Sequence, residues 1–357
     1  MKLGIGLYRH MLTRENYRFA KQAGCTHIIA HLVDYFPTMS KDGIPATDAT
    51  NNWGITSGNM EDWSYESLRK LKDEINEEGL ELYAIENFDP AHWHDVLLNG
   101  PRRDEQIELL KSIIRNVGKA GIPVMGYNFS LAGVWGHTKG EFARGGAVSV
   151  GFTPSNANDQ TPIPQGEVWN MTYDPQAPEG TMPQISEGEL WERYTYFLKE
   201  LVPVAEETGV RLAAHPDDPP MPQLRGTPRL VYQPHLFQKM LDSVPSHANA
   251  LDFCMGTVQE MSEGNLYETI DQLTKQNKIC YVHFRNVIGK VPEYREVFVD
   301  EGDIDMIKAL RIYKKNNFDG VFIPDHTPQI SCNAPWHAGM AYALGYMKAA
   351  LSIVNNE

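Results

Sequence analysis

The chain has 357 residues, 42% hydrophobic and 22% charged, the proportions of a soluble globular protein with a sizeable core. Its formal net charge of −14 speaks against non-specific binding to nucleic acid or an anionic membrane, because phosphate contacts need clustered Lys and Arg. No apolar run approaches the length of a membrane span, and the start "MKLGIGLYRH" lacks the apolar stretch of a signal peptide. The four cysteines, Cys25, Cys254, Cys280 and Cys332, form no CxxC pair. That spacing predicts neither a disulfide framework nor a zinc ribbon, and the cytoplasm is the expected compartment.

Eight short β-favouring apolar runs follow one another: "KLGIGLY", "HIIAHL", "LELYAIE", "PVMGYNF", "RLAAHP", "ANALDFC", "ICYVHFR" and "DGVFIPDH". Helical periodicity fills most of the gaps. "SYESLRKLKDEINEEG" puts Leu68, Leu71 and Ile75 on one face, with Ser64 as N-cap and Gly79 as the stop. Residues 130 to 185 break the pattern, being rich in Gly, Pro, Asn and Thr without a helical period. A segment that long is usually functional. After strand four it would emerge where barrel active sites sit, so we read it as a lid, with an oligomer contact as the alternative. "ISEGELWERYTYFLKELVPVAEETG" opens with a capping box, Ser186 and Glu189, and a staple, Ile185 and Leu190; its Pro203 predicts a kink. "DIDMIKALRIYKKNNFDG" is expected to start at an Asp303 cap.

This alternation predicts an α/β fold with a parallel sheet, and eight units predict a single (β/α)8 TIM-barrel domain over residues 1–357. The runs are continuously apolar, as when both strand faces are covered. A doubly wound open sheet is the alternative, but "GIGLYRH" lacks the phosphate-binding glycine pattern.

The last four strands end in residues that can hold a metal. Strand five ends at His215, strand six at Cys254, strand seven at His283 and strand eight at Asp325-His326. Each alone reads as ordinary: a strand-end histidine as a hydrogen-bonded core residue, Cys254 as a small buried hydrophobe, Asp252 as an inward polar residue. In a barrel the C-terminal strand ends converge, and the coincidence across four successive strands favours a divalent cation. A thiolate leans toward Zn²⁺, whereas mixed N/O ligation suits Mn²⁺, Fe²⁺ or Co²⁺, with Mg²⁺ also open. Arg285 shares a strand side with His283 and could grip a carboxylate, or form an ordinary salt bridge. Asn128 could bond a substrate hydroxyl. Asp217 and Asp218 lie in a proline-rich turn, with Asp217 a candidate beside a ligand. His326, next to a presumed ligand, is a candidate general acid or base.

The segments "LELYAIEN", "IRNVGKAGIPVMGYNF", "AAHPDDPP", "FCMGT", "VHFRNV" and "FDGVFIPDH", in this order, resemble the mannonate dehydratase family. The resemblance covers roughly residues 64–129 and 186–350. It implies a xylose-isomerase-like barrel that dehydrates D-mannonate to 2-keto-3-deoxy-D-gluconate, generally with Mn²⁺. It further implies metal ligation by His215, Cys254, His283 and Asp325, and catalytic roles for His326 and, across a small gap, Tyr342. The sequence departs from the family after "YNF", where it reads "SLAGVWGHTK", and after "PDH", where it reads Thr327-Pro328-Gln329. These expectations stand beside two others: a metal-dependent sugar isomerase or epimerase on the same barrel, and a non-catalytic barrel with a structural metal. The partner expected is a small sugar acid, and the oligomeric state stays open.

Overall fold

A computed structural model describes residues 1–35 and 53–357. Eight parallel strands close into a barrel in chain order: β1 (Lys2–Leu7), β2 (His27–Ala30), β3 (Glu81–Glu86), β4 (Val124–Tyr127), β5 (Arg211–Ala214), β6 (Asn249–Cys254), β7 (Ile279–His283) and β8 (Val321–Ile323). β8 pairs back onto β1, Val321 with Lys2 and Phe322 with Leu3. The strands are buried on both faces, which is why they read as unbroken apolar runs. Inside the barrel, small residues alternate with branched ones; Ile29, Ala84, Ala213, Ala250, Val321 and Ile323 belong to one cluster.

The helices form the outer layer that the periodicity predicts. Helix Tyr65–Glu77 is capped by Ser64, whose side chain accepts from Ser67 N, and Gly79 follows it in a left-handed conformation. Helix Glu187–Thr208 carries both halves of the Ser186/Glu189 capping box and continues through Pro203. Helix Met306–Lys315 corrects one expectation: its cap is Asp305, which accepts from Lys308 N. Asp303 instead accepts from Gly289 N, because the chain before the helix is taken up in holding a hairpin. No described helix is long and apolar enough to cross a membrane.

Two additions sit on the C-terminal face. Residues 130–185 hold the strands Thr138–Ala143 and Ala147–Phe152 and the short helix Pro154–Asn158. After β7 the chain makes a second hairpin, Asn286–Lys290 with Glu293–Val297. The two hairpins join into one four-stranded sheet through Tyr294–Phe152 and Arg295–Gly151 pairing. The alternating pattern of "VIGKVPEYREV", with proline at its turn, is the sequence signal for this second hairpin.

Candidate active site

Register brings the proposed ligands together. Cys254 is paired directly with His283, and Asp252 with Tyr281, so that Asp252 and Cys254 project to one side of β6 as Tyr281 and His283 do from β7. A register shift between Leu251 and Asp252 sets this alignment just before the functional residues. His215 follows β5, its backbone N–H donating to Tyr127 O. Asp325 stands two residues past β8 with φ +63°, a left-handed conformation that a non-glycine residue adopts at a cost. That twist lets its carboxylate reach 3.5 Å from His283 Nδ1.

Donor atoms of His215, Cys254 and His283 all lie within 4.8 Å of one another, and the same holds for Glu86, Asp252 and His283. His283 is the hinge between the two groups. Its Nδ1 faces Asp325, whereas its Nε2 faces Asp252 Oδ1 at 3.3 Å and Glu86 Oε2 at 3.4 Å. Neither ring nitrogen has a hydrogen bond, nor does either oxygen of Asp252, although both residues are buried. Buried polar atoms are rarely left so. Unpartnered imidazole nitrogens beside a cysteine and several buried carboxylates are the donor set a divalent cation needs, so these residues fit the metal that the fold implies.

The electrostatics agree. Burial alone would raise the Cys254 thiol, but the Arg285 charge and the His215 and His283 imidazoles beside it pull it down to about 6, which favours the thiolate. Burial lowers His215, yet the neighbouring Cys254 and the charge of Asp252 outweigh that and push it up to about 9. Burial pushes Asp252 up to about 7 against the pull of His283. Asp325 is held below the ordinary carboxylate range, its burial outweighed by the His326 and His283 charges.

Around this cluster the structure sorts the remaining candidates. His326 Nδ1 lies 2.9 Å from Glu296 Oε2, and its Nε2 lies 3.3 Å from Asp325 Oδ1. Arg285 is buried with both terminal nitrogens engaged: Nη1 donates to Glu296 at 2.8 Å, and Nη2 donates to Asp218 at 2.5 Å and to Thr257 at 2.8 Å. The reading of Arg285 as a substrate grip gives way to that of an internal anchor, because both terminal nitrogens are taken by the protein. Gly256 makes room for it; a Cβ there would sit 2.4 Å from Arg285 Nε. Asn128 is likewise spent, donating to the carbonyls of His215 and Pro216 while accepting from Trp169 Nε1. Asp217 is buried, pairs with Arg229 at 2.8 Å and accepts from the backbone of Leu230 and Val231. Both residues hold the loop that carries His215.

Tyr342 is not brought to the cluster. It is 38% exposed, accepts from Arg144 and packs edge-on against Phe298. A different tyrosine faces the charges: Tyr8, just past β1, is raised by burial and by Asp325 and Glu86, and its ring lies 5.0 Å from that of His31. Sequence reasoning passed over Tyr8, Glu86 and Glu296. Glu86 ends β3 as His283 ends β7, so the strand-end criterion could have found it; Glu296 depends on the second hairpin.

Residues 50–354 match the family model described as D-mannonate dehydratase (UxuA). The mannonate dehydratase of Streptococcus pneumoniae (strain 70585) is 32% identical over 280 residues, 75% of each chain. That of Lactococcus lactis subsp. cremoris (strain MG1363) is 31% identical over 283 residues, 74% of this chain and 78% of the relative. Among solved structures, the mannonate dehydratase from Streptococcus suis serotype 2 superposes with a TM-score of 0.76 at 25% identity, covering 100% of this chain and 94% of that one. D-psicose 3-epimerase from Clostridium cellulolyticum H10, at TM-score 0.57 and 12% identity over 100% of this chain and 99% of that one, shares the fold alone. Strand ends, barrel and sequence relatives lead to one assignment: the chain belongs to the D-mannonate dehydratase (UxuA) family.

Proposed function

We propose that the protein dehydrates D-mannonate to 2-keto-3-deoxy-D-gluconate and water, a hydro-lyase reaction, with a divalent ion held by His215, Cys254, His283 and Asp325. Mn²⁺ is the ion the family resemblance favours. The observation that carries the reading is the convergence of Cys254 with two imidazoles at the barrel mouth of a chain in this family. When bound, the ion supplies Lewis acidity toward the oxygens of a sugar acid, which lowers the cost of losing the C2 proton.

The chain's own residues then move protons. Elimination removes the C2 proton and protonates the departing C3 hydroxyl, so two proton-transfer groups are needed. His326 is one: with Nδ1 engaged by Glu296, Nε2 is the nitrogen that exchanges a proton. Tyr8 takes the place first given to Tyr342. It directly follows the strand that pairs with β8, and its phenol is held protonated by burial beside Asp325 and Glu86. The enol that results tautomerises to the keto acid. The 130–185 segment serves as a lid, a reading supported by the Trp169 bond to Asn128 beside His215.

Incubating the Mn²⁺-loaded protein with D-mannonate and its epimers, and scoring 2-keto-3-deoxy acid, tests this. Product from D-mannonate, abolished by a chelator and restored by Mn²⁺, is expected. A loaded protein that forms no keto acid from any aldonate contradicts the reading.

A further inference from the structure

The segment after His326 and the segment after β4 touch. Gln329 N donates to Val148 O at 2.9 Å, an antiparallel bridge between the loop behind His326 and the 138–152 hairpin. One residue along that hairpin strand, the Ser149 hydroxyl donates to Glu296 O at 2.7 Å. The Glu296 carboxylate in turn lies 2.9 and 3.1 Å from His326 Nδ1, and Arg285 Nη1 donates to it from the other side. The inserted hairpin therefore grips the histidine loop at its backbone and grips the backbone of the residue that bonds the imidazole.

We propose that Glu296 is the positioning residue for His326, and that the 138–152 hairpin is the scaffold that fixes this pair. The inference rests on the reading of His326 as a proton-transfer group. A buried carboxylate on Nδ1 fixes the ring's orientation and keeps the Nδ1 proton in place, with Nε2 turned toward the cluster, 3.3 Å from Asp325 Oδ1. Glu296 is 3% exposed, and His326 is 40% exposed at its side chain, so the buried partner directs the accessible one. Gln329 docks the loop behind His326 on the insertion.

Two measurements test this. The first is the nitrogen NMR signature of His326 in the metal-free wild-type chain. A protonated Nδ1 is expected, and a bare Nδ1 overturns the proposal whether or not the chain turns over D-mannonate. The second is Glu296→Gln, which keeps the shape and removes the charge. We expect kcat to fall about tenfold or more, with KM and the Mn²⁺ dissociation constant each changing less than about threefold. A smaller fall in kcat, or a fall matched by lost Mn²⁺ binding, overturns it. A wild-type protein inactive on every aldonate would defeat the functional reading, and the NMR result would still decide the role of Glu296.

Discussion

Asp252 shows how a buried residue can work through a neighbour. It is fully buried, neither oxygen has a hydrogen bond, and its nearest cationic partner is His283 Nε2 at 3.3 Å. A carboxylate there would fix which imidazole nitrogen carries the proton, with Nδ1 left on the Asp325 side. Asp252→Asn should accordingly weaken Mn²⁺ binding by about 10–100-fold, measured by competition with a chelating dye, while the circular dichroism spectrum stays native. Unchanged affinity would return Asp252 to the status of a core polar residue. The sequence half disclosed this: the two-residue spacing to Cys254 places Asp252 on the same side of β6. The pairing of that side with His283 depends on the strand register, which no local pattern encodes.

Among the elements, the strands and capped helices were readable because their signals are local. Each apolar run became a barrel strand, and the Ser64 and Ser186 caps form as the sequence predicts. The Asp303 expectation failed by two residues, since Asp303 and Asp305 are equally good caps and only the hairpin contact to Gly289 separates them. The four-stranded sheet was hidden for a stronger reason. Its central pairing joins Phe152 to Tyr294, segments far apart in the chain, so no window of sequence contains it. The short helix Met255–Glu260, which follows Cys254, explains the "CMGT" motif: its glycine seats the Arg285 guanidinium. Gly256→Ala forces a methyl group against a buried side chain whose terminal nitrogens are held in place, and we predict a loss of about 1–3 kcal/mol in urea unfolding. A change indistinguishable from zero would mean that the network around Arg285 is loose.

For the whole molecule, the barrel turns residues distant in sequence into one centre, which is why four strand ends could be read together before any coordinate was known. Among the candidates taken from strand ends, His215, Cys254 and His283 have donor atoms within 4.8 Å of one another, and Asp325 lies 3.5 Å from His283 Nδ1. Arg285, Asn128 and Asp217, candidates taken from side-chain chemistry alone, have hydrogen-bonding groups that hold the His215 loop and the charge network. Tyr342, matched only across a gap, lies with Arg144 and Phe298. The central claim is that Cys254 and its neighbours bind the ion on which turnover depends. Titration with Co²⁺, followed by a thiolate-to-cobalt charge-transfer band and by 2-keto-3-deoxy acid formation from D-mannonate, tests it in one sample. The account predicts that band and activity rise together and saturate at about one ion per chain, and that Cys254→Ser loses the band and most of the activity. Full activity in Cys254→Ser, or activity in the metal-free chain, would contradict it.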